Sequence, residues 1–350
     1  MGIEAKEAAL FERLPEGRVH CVLCAHRCMI EDGKRGICAV RENRNGTLVS
    51  LVYGRLIARH VDPIEKKPLF HVLPGTAAYS IATAGCNFRC RWCQNWQISQ
   101  VPRDQPVIAG QWVSPKAVVR DAVRLGCRSI AYTYTEPTVF YETAYDTAVL
   151  ARDAGLANIF VTNGYMTEEM LNAFHPYLDA ANVDLKGFDE RIHLRFVGAR
   201  LQPVLDSLKA MKRLGIWVEV TTLVVPGIND DPGELRALAG FIAQELGVET
   251  PWHVSRFHPT YRLTDRGPTP VATLHEAREI GMMAGLHYVY VGNLWEPGTE
   301  DTICPGCSRR LVRRHGFTVQ EDRLQQGRCP DCGTTIGGLW ALHGSSGADV

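Results

Sequence analysis

Three cysteines fall within eight residues in the stretch GCNFRCRWCQNW, Gly85 to Trp96: Cys86, Cys90 and Cys93, spaced C-x3-C-x2-C. Three is an awkward number. A disulfide uses thiols in pairs, and a structural zinc or a simple electron-transfer iron-sulfur cluster takes four ligands. Three thiolates on one tight loop can hold three irons of a cubane cluster and leave the fourth iron open to a substrate or cofactor, much as a catalytic zinc keeps one position free. The plainer alternatives are a zinc site completed by a distant histidine such as His71, or three thiols without a metal.

The remaining cysteines divide the chain. Cys21, Cys24, Cys28 and Cys38 lie near the start, and Cys304, Cys307, Cys329 and Cys332 near the end. Cys127 stands alone in RLGCRSI and reads as a small buried hydrophobe. CPGC and CPDCG are paired C-x2-C knuckles about twenty residues apart, the pattern of a zinc ribbon or a rubredoxin-like site, with zinc the first choice and iron the second. The N-terminal set, C-x2-C-x3-C-x9-C, is open between zinc and an auxiliary iron-sulfur cluster. The turn-rich EDGKRG would bring Cys38 back to the first three, and His26 is a substitute ligand or a surface histidine.

The N-terminal stretch MGIEAKEAALFERLPEGR mixes acids and bases without an apolar core or a cleavage site, and no apolar run approaches the roughly 20 residues of a membrane span. A cytoplasmic location is expected, where clustered cysteines read as metal ligands before they read as disulfides. The 38 basic and 38 acidic residues cancel, so no whole-chain field recruits nucleic acid or an anionic membrane.

Between the outer clusters, runs rich in β-branched and aromatic residues alternate with helical stretches: AYSIATAG, SIAYTYTEP, ANIFVTNGY, AANVDLKG, IWVEVTTLVVPG, WHVSRFHP and HYVYVGN. Ser114-Pro115 and Asp231-Pro232 read as helix starts, and Thr273 with Glu276 as a capping box. Such alternation predicts an α/β fold with parallel strands and right-handed crossovers, a partial (β/α)6 TIM-like barrel. The expected organisation is a Cys-rich N-terminal module and lead-in over 1–76, the barrel over 77–297, a zinc-ribbon or rubredoxin-like module over 298–343, and a loose tail over 344–350. The triple cysteine follows the first run of the series, where such folds gather their chemistry.

These residues carry a resemblance. C-x3-C-x2-C after the first barrel strand, with Trp92 before the last cysteine, resembles the radical S-adenosylmethionine (radical SAM) superfamily. YTEP, Tyr134 to Pro137, is similar to its G-G-E-P-type motif, with Thr135 in place of glycine. TNG, Thr162 to Gly164, DLK, Asp184 to Lys186, and VVPGIND, Val224 to Asp230, resemble motifs of the glycyl-radical-enzyme activase branch, related to pyruvate formate-lyase activating enzymes. The closer pattern, LCAHRC and GICAVREN followed by DPIEKKPLFH and CQNWQIS with the trailing cysteine pairs, resembles the radical SAM member of the AmmeMemoRadiSam system.

The resemblance implies a 4Fe-4S cluster on Cys86, Cys90 and Cys93 whose open iron chelates S-adenosylmethionine. Its reductive cleavage gives a 5′-deoxyadenosyl radical that abstracts hydrogen from a substrate. Thr135 and Glu136 would meet the methionyl amino group, Lys186 the carboxylate or ribose, and Trp92 the adenine, with His258 a candidate for the ribose or base. A carboxylate commonly precedes TNG in the activase branch and helps hold a monovalent cation; here Val161 stands there, leaving Thr162 and Asp184, so a cation site is not assumed. Implied partners are an electron donor such as flavodoxin or ferredoxin, and Memo-like and AMMECR-like proteins. The substrate is open among a glycine on a partner enzyme, another protein residue and a small molecule. Two other classes stay in view, an iron-sulfur electron carrier without S-adenosylmethionine and a zinc-ribbon binding protein, the second drawing on the basic run RRLVRRHG.

Overall fold

The structure, a computed structural model, describes residues 6–105 and 107–342. The expected loose tail, 344–350, lies outside the described residues.

A nine-stranded sheet organises the chain. It contains β1 (Arg55–Pro63), antiparallel to β2 (Ala77–Thr83). From β2 onward the pairings are parallel and in chain order through β3 (Ser129–Tyr132), β4 (Ala157–Thr162), β5 (Ala180–Asp184), β6 (Trp217–Val224), β7 (Trp252–Arg256) and β8 (Val289–Gly292). A two-residue strand, Gln111–Trp112, pairs with β1 at one edge while β8 forms the other, so the barrel is open. Helices α1 (Pro115–Arg124), α2 (Tyr141–Asp153), α3 (Glu168–Phe174), α4 (Gln202–Arg213), α5 (Pro232–Phe241) and α6 (Val271–Met283) each link one parallel strand to the next. Six strand-helix units therefore precede the last strand, the expected (β/α)6 arrangement.

Local chemistry explains the elements. β3 is buried along its whole length, as a strand covered on both faces must be. α1 buries Val118, Val119 and Ala122 and leaves Arg120 and Arg124 outside. Ser114 Oγ accepts from Ala117 N at 3.2 Å, and Asp231 Oδ1 from Gly233 N and Glu234 N at 2.9 and 3.0 Å, each before a proline. The capping box expected at Thr273 and Glu276 does not form. α6 starts two residues earlier, after Pro270, whose fixed φ leads directly into the helix. Among the described residues no helix is long and apolar enough to cross a membrane.

The two cysteine-rich ends sit at opposite ends of the barrel. The N-terminal segment forms two small three-stranded sheets that share the main core with the loops leaving β2 and β4. Cys24 pairs with Met166, and Ala25 N donates to Tyr165 O at 3.2 Å. The C-terminal segment, built on Arg310–His315, covers the N-terminal ends of the strands. Cys304, Cys329, Leu311 and Ile336 pack there with Phe70, Tyr288 and Tyr290. Gly337 has no room for a Cβ beside the ring of Trp217, the first residue of β6.

Candidate active site

The loop after β2 delivers Cys86, Cys90 and Cys93 to the C-terminal mouth of the barrel. Phe88 N donates to Cys86 Sγ at 3.3 Å, Cys93 N to Cys90 O at 3.2 Å, and Cys93 Sγ lies 3.2 Å from Ser99 Oγ. Arg103 fastens the loop from outside, donating to Phe88 O at 2.9 Å and to the Cys86 carbonyl. Burial, with Glu136 and the other two sulfurs, pushes the Cys86 thiol well up, and burial pushes Cys90 up to about 12 against the pull of Lys186. Such thiols lose their protons to a metal rather than to water.

The next strand ends hold this loop. Tyr134, at φ 63°, turns YTEP sharply, and Thr135 Oγ1 donates to Thr83 O at 2.9 Å. Glu136 is fully buried. Its Oε1 accepts from Thr138 N at 3.1 Å, from Thr138 Oγ1 and from Thr162 Oγ1 at 2.7 Å, and its Oε2 accepts from Asn163 N at 2.8 Å. Burial raises the Glu136 carboxyl while these bonds pull it back. Asn163 Nδ2 in turn donates to Asn87 Oδ1 at 2.7 Å and lies 3.8 Å from Cys86 Sγ.

At the end of β5, Lys186 Nζ meets Asp184 Oδ2 at 2.8 Å. Desolvation works against its charge, yet Asp184 and the Cys90 and Cys93 sulfurs hold it above the ordinary lysine range. Trp92 is buried with its ring 6.2 Å from that of Phe196, and its indole N–H has no partner. His258 is exposed just beyond β7. Val161 lies in β4 before Thr162, whose hydroxyl is spent on Glu136.

The three cysteine groups differ in spacing. Cys304 and Cys332 sulfurs stand 3.6 Å apart, those of Cys307 and Cys329 3.7 Å, and all four lie within 4.8 Å of one another. A tetrahedral zinc with bonds near 2.3 Å needs sulfurs about 3.8 Å apart, so this set is shaped for one ion. Among the described residues no three sulfurs of the other groups converge in this way. Cys21, Cys24, Cys28 and Cys38 line a single cavity.

The histidine alternatives resolve on geometry. His71 is committed at the other end of the barrel, Nδ1 to Gly337 O at 2.7 Å and Nε2 to Tyr290 OH at 2.8 Å, so it completes no site with Cys86. His26 is half-buried rather than superficial and has Nε2 2.9 Å from Asn87 O. In the basic run, Arg314 is buried, stacked 4.3 Å from the centre of the Phe70 ring and bonded to Phe70 O at 2.7 Å, which removes it from any outward patch. Sequence reasoning did not single out Asn163, Asn87 or Arg103; only Asn163, inside TNG, carried a signal.

Residues 80–239 match the radical SAM superfamily. A Methanocaldococcus jannaschii protein named only as uncharacterized is 46% identical over 333 residues, 95% of this chain and 98% of its own. The isethionate sulfite-lyase activating enzyme of Nitratidesulfovibrio vulgaris is 29% identical over 145 residues, 39% of this chain and 47% of its own. Among solved structures, a radical SAM methyltransferase from Sphaerobacter thermophilus superposes with a TM-score of 0.50 at 14% identity, covering 62% of this chain and 66% of that one, a likeness of fold.

Proposed function

Because the chain belongs to the radical SAM superfamily and is an enzyme of that kind, we propose that Cys86, Cys90 and Cys93 hold its 4Fe-4S cluster with one iron open to S-adenosylmethionine, and that the enzyme abstracts hydrogen from a substrate in an activase-like reaction. The observation that carries this reading is that the loop after β2 gathers three buried or half-buried thiols at the C-terminal mouth of the barrel, tied through Asn163 to the buried Glu136 of the next strand end. When bound there, the cluster supplies the electron that cleaves S-adenosylmethionine to methionine and a 5′-deoxyadenosyl radical.

The residues around it divide the work. Lys186, held charged by Asp184, is the cation available to the methionyl carboxylate. The Tyr134–Thr135 turn, pinned to Thr83 O, offers backbone to the amino group. Glu136 acts as the anchor of that turn and of Asn163, since both of its oxygens are engaged. Trp92 contributes to the dry wall beside Cys93, and its unpartnered indole N–H is a donor for a bound group. His258 would reach the ribose or base only from the loop beyond β7. Thr162 and Asp184 are engaged with Glu136 and Lys186, which weighs against a cation between them.

The likeness to activating enzymes, which takes in 39% of this chain for the isethionate sulfite-lyase activating enzyme, supports hydrogen abstraction from a glycyl residue of a partner enzyme as the first reading; a small molecule or another protein residue is the second. The full-length match to an uncharacterized relative supports a separate branch within this chemistry, for which we propose the AmmeMemoRadiSam grouping, with Memo-like and AMMECR-like partners, a flavodoxin or ferredoxin as reductant, and the cytoplasm as location. In the C-terminal module we propose one zinc on Cys304, Cys307, Cys329 and Cys332, holding the base of the barrel. The test is spectroscopic: the electron paramagnetic resonance signal of the reduced protein should shift on adding S-adenosylmethionine, and an unshifted signal from an intact cluster would overturn the assignment.

A further inference from the structure

We propose that Cys21, Cys24, Cys28 and Cys38 hold a second, four-thiolate iron-sulfur cluster rather than a zinc ion. The four line one cavity, walled also by Ile30 and Arg41. The C-terminal four bring all their sulfurs within 4.8 Å of one another, and the N-terminal four form no such one-ion group. A single zinc draws its thiolates to one point, about 3.8 Å apart. A cubane takes one thiolate at each of four corners and needs them spread around a body.

Arg41 supplies an independent observation. It is 1% exposed, and its Nη2 is spent on Glu142 Oε1 at 2.8 Å and on the Ala9 carbonyl. Its Nε and Nη1 have no partner. Buried, unpaired guanidinium N–H groups are costly, and an anionic, sulfur-rich occupant of the same cavity would accept them.

The cavity also adjoins the first cysteine loop. Gly85, at φ +102°, has no room for a Cβ, which would stand 2.6 Å from Val40 Cγ1 and 3.2 Å from the Cys38 carbonyl. Arg103 joins the two loops, donating to Ile37 O at 2.9 Å and to the Cys86 carbonyl. A cluster here would accept one electron from a ferredoxin- or flavodoxin-class carrier and pass the same electron to its neighbour. That role, though not the cluster itself, rests on the assignment of Cys86, Cys90 and Cys93.

The test is a full-length triple variant, Cys86→Ala with Cys90→Ala and Cys93→Ala, reconstituted anaerobically with iron and sulfide and assayed for iron, acid-labile sulfide and zinc. The expected result is about four irons and four sulfides retained, about half the wild-type content, with a signal that ignores S-adenosylmethionine. Adding Cys24→Ser and Cys38→Ser should abolish the iron, with the C-terminal zinc and the circular dichroism reporting an intact fold. A folded triple variant with a second zinc, or with no iron, overturns the proposal, as does iron that survives Cys24→Ser and Cys38→Ser. Equal iron in wild type and triple variant would instead count against the Cys86 assignment while leaving this one standing.

Discussion

Thr162 Oγ1 donates a 2.7 Å hydrogen bond to the buried Glu136 carboxylate and so ties the end of β4 to the loop leaving β3. The same carboxylate holds Asn163, which reaches Asn87 and Cys86. Glu136→Gln would turn one acceptor into an N–H group facing other donors, and should cost about 1–3 kcal/mol in urea unfolding, with Thr162→Val costing about 1 kcal/mol. A Glu136→Gln protein as stable as wild type would move the role of this residue from anchoring to ligand contact.

His71 should give the fold an acid limit. Burial lowers it to about 4, below the ordinary 6.5, while Gly337 O and Tyr290 OH occupy its nitrogens. The unfolded chain then takes up the proton first. The stabilisation is present above pH 6.5 and is lost as pH falls towards about 4, with a slope approaching 1.4 kcal/mol per unit. His71→Gln should be less stable near neutrality yet lose less across that window. Equal slopes in denaturant titrations would remove His71 as the cause.

The C-terminal cysteines should be separable from catalysis. They pack at the starts of the strands, and β6 alone spans about 23 Å from Trp217 to Val224. Cys304→Ser with Cys332→Ser should release one zinc per chain and cost several kcal/mol of stability. Cleavage of S-adenosylmethionine per folded molecule should stay within about twofold, a margin well under 1 kcal/mol. Iron at this site, with loss of electron transfer in the variant, would contradict the structural role.

Lys186→Met should leave iron and sulfide contents unchanged and weaken S-adenosylmethionine binding by about tenfold or more, the loss of one charge-assisted contact. Equilibrium binding to the reconstituted protein reads this directly. Unchanged affinity would confine Lys186 to its pair with Asp184.

The strand runs, the proline-led helix starts and the spacing of Cys86, Cys90 and Cys93 were legible because each rests on local chemistry. β1 was not, because much of it is only partly buried and it runs antiparallel, outside the strand-helix rhythm. The link from Asn163 to Asn87 spans 76 positions, and Arg41 within AVREN looks like any surface arginine until Glu142, 101 residues away, closes over it. Thr273 shows the converse: a correct capping pattern lost to a proline three residues earlier. Spacing in sequence marked the C-terminal pairs as a one-metal knuckle and left the N-terminal set open; among the described residues the C-terminal sulfurs converge to within 4.8 Å of one another.

The central claim is tested most directly by reconstituting the protein anaerobically, reducing it with dithionite, adding S-adenosylmethionine and quantifying 5′-deoxyadenosine beside Cys90→Ala. Product from the wild type that is absent from Cys90→Ala is the predicted result. Equal product from both would contradict the assignment of the cluster to Cys86, Cys90 and Cys93.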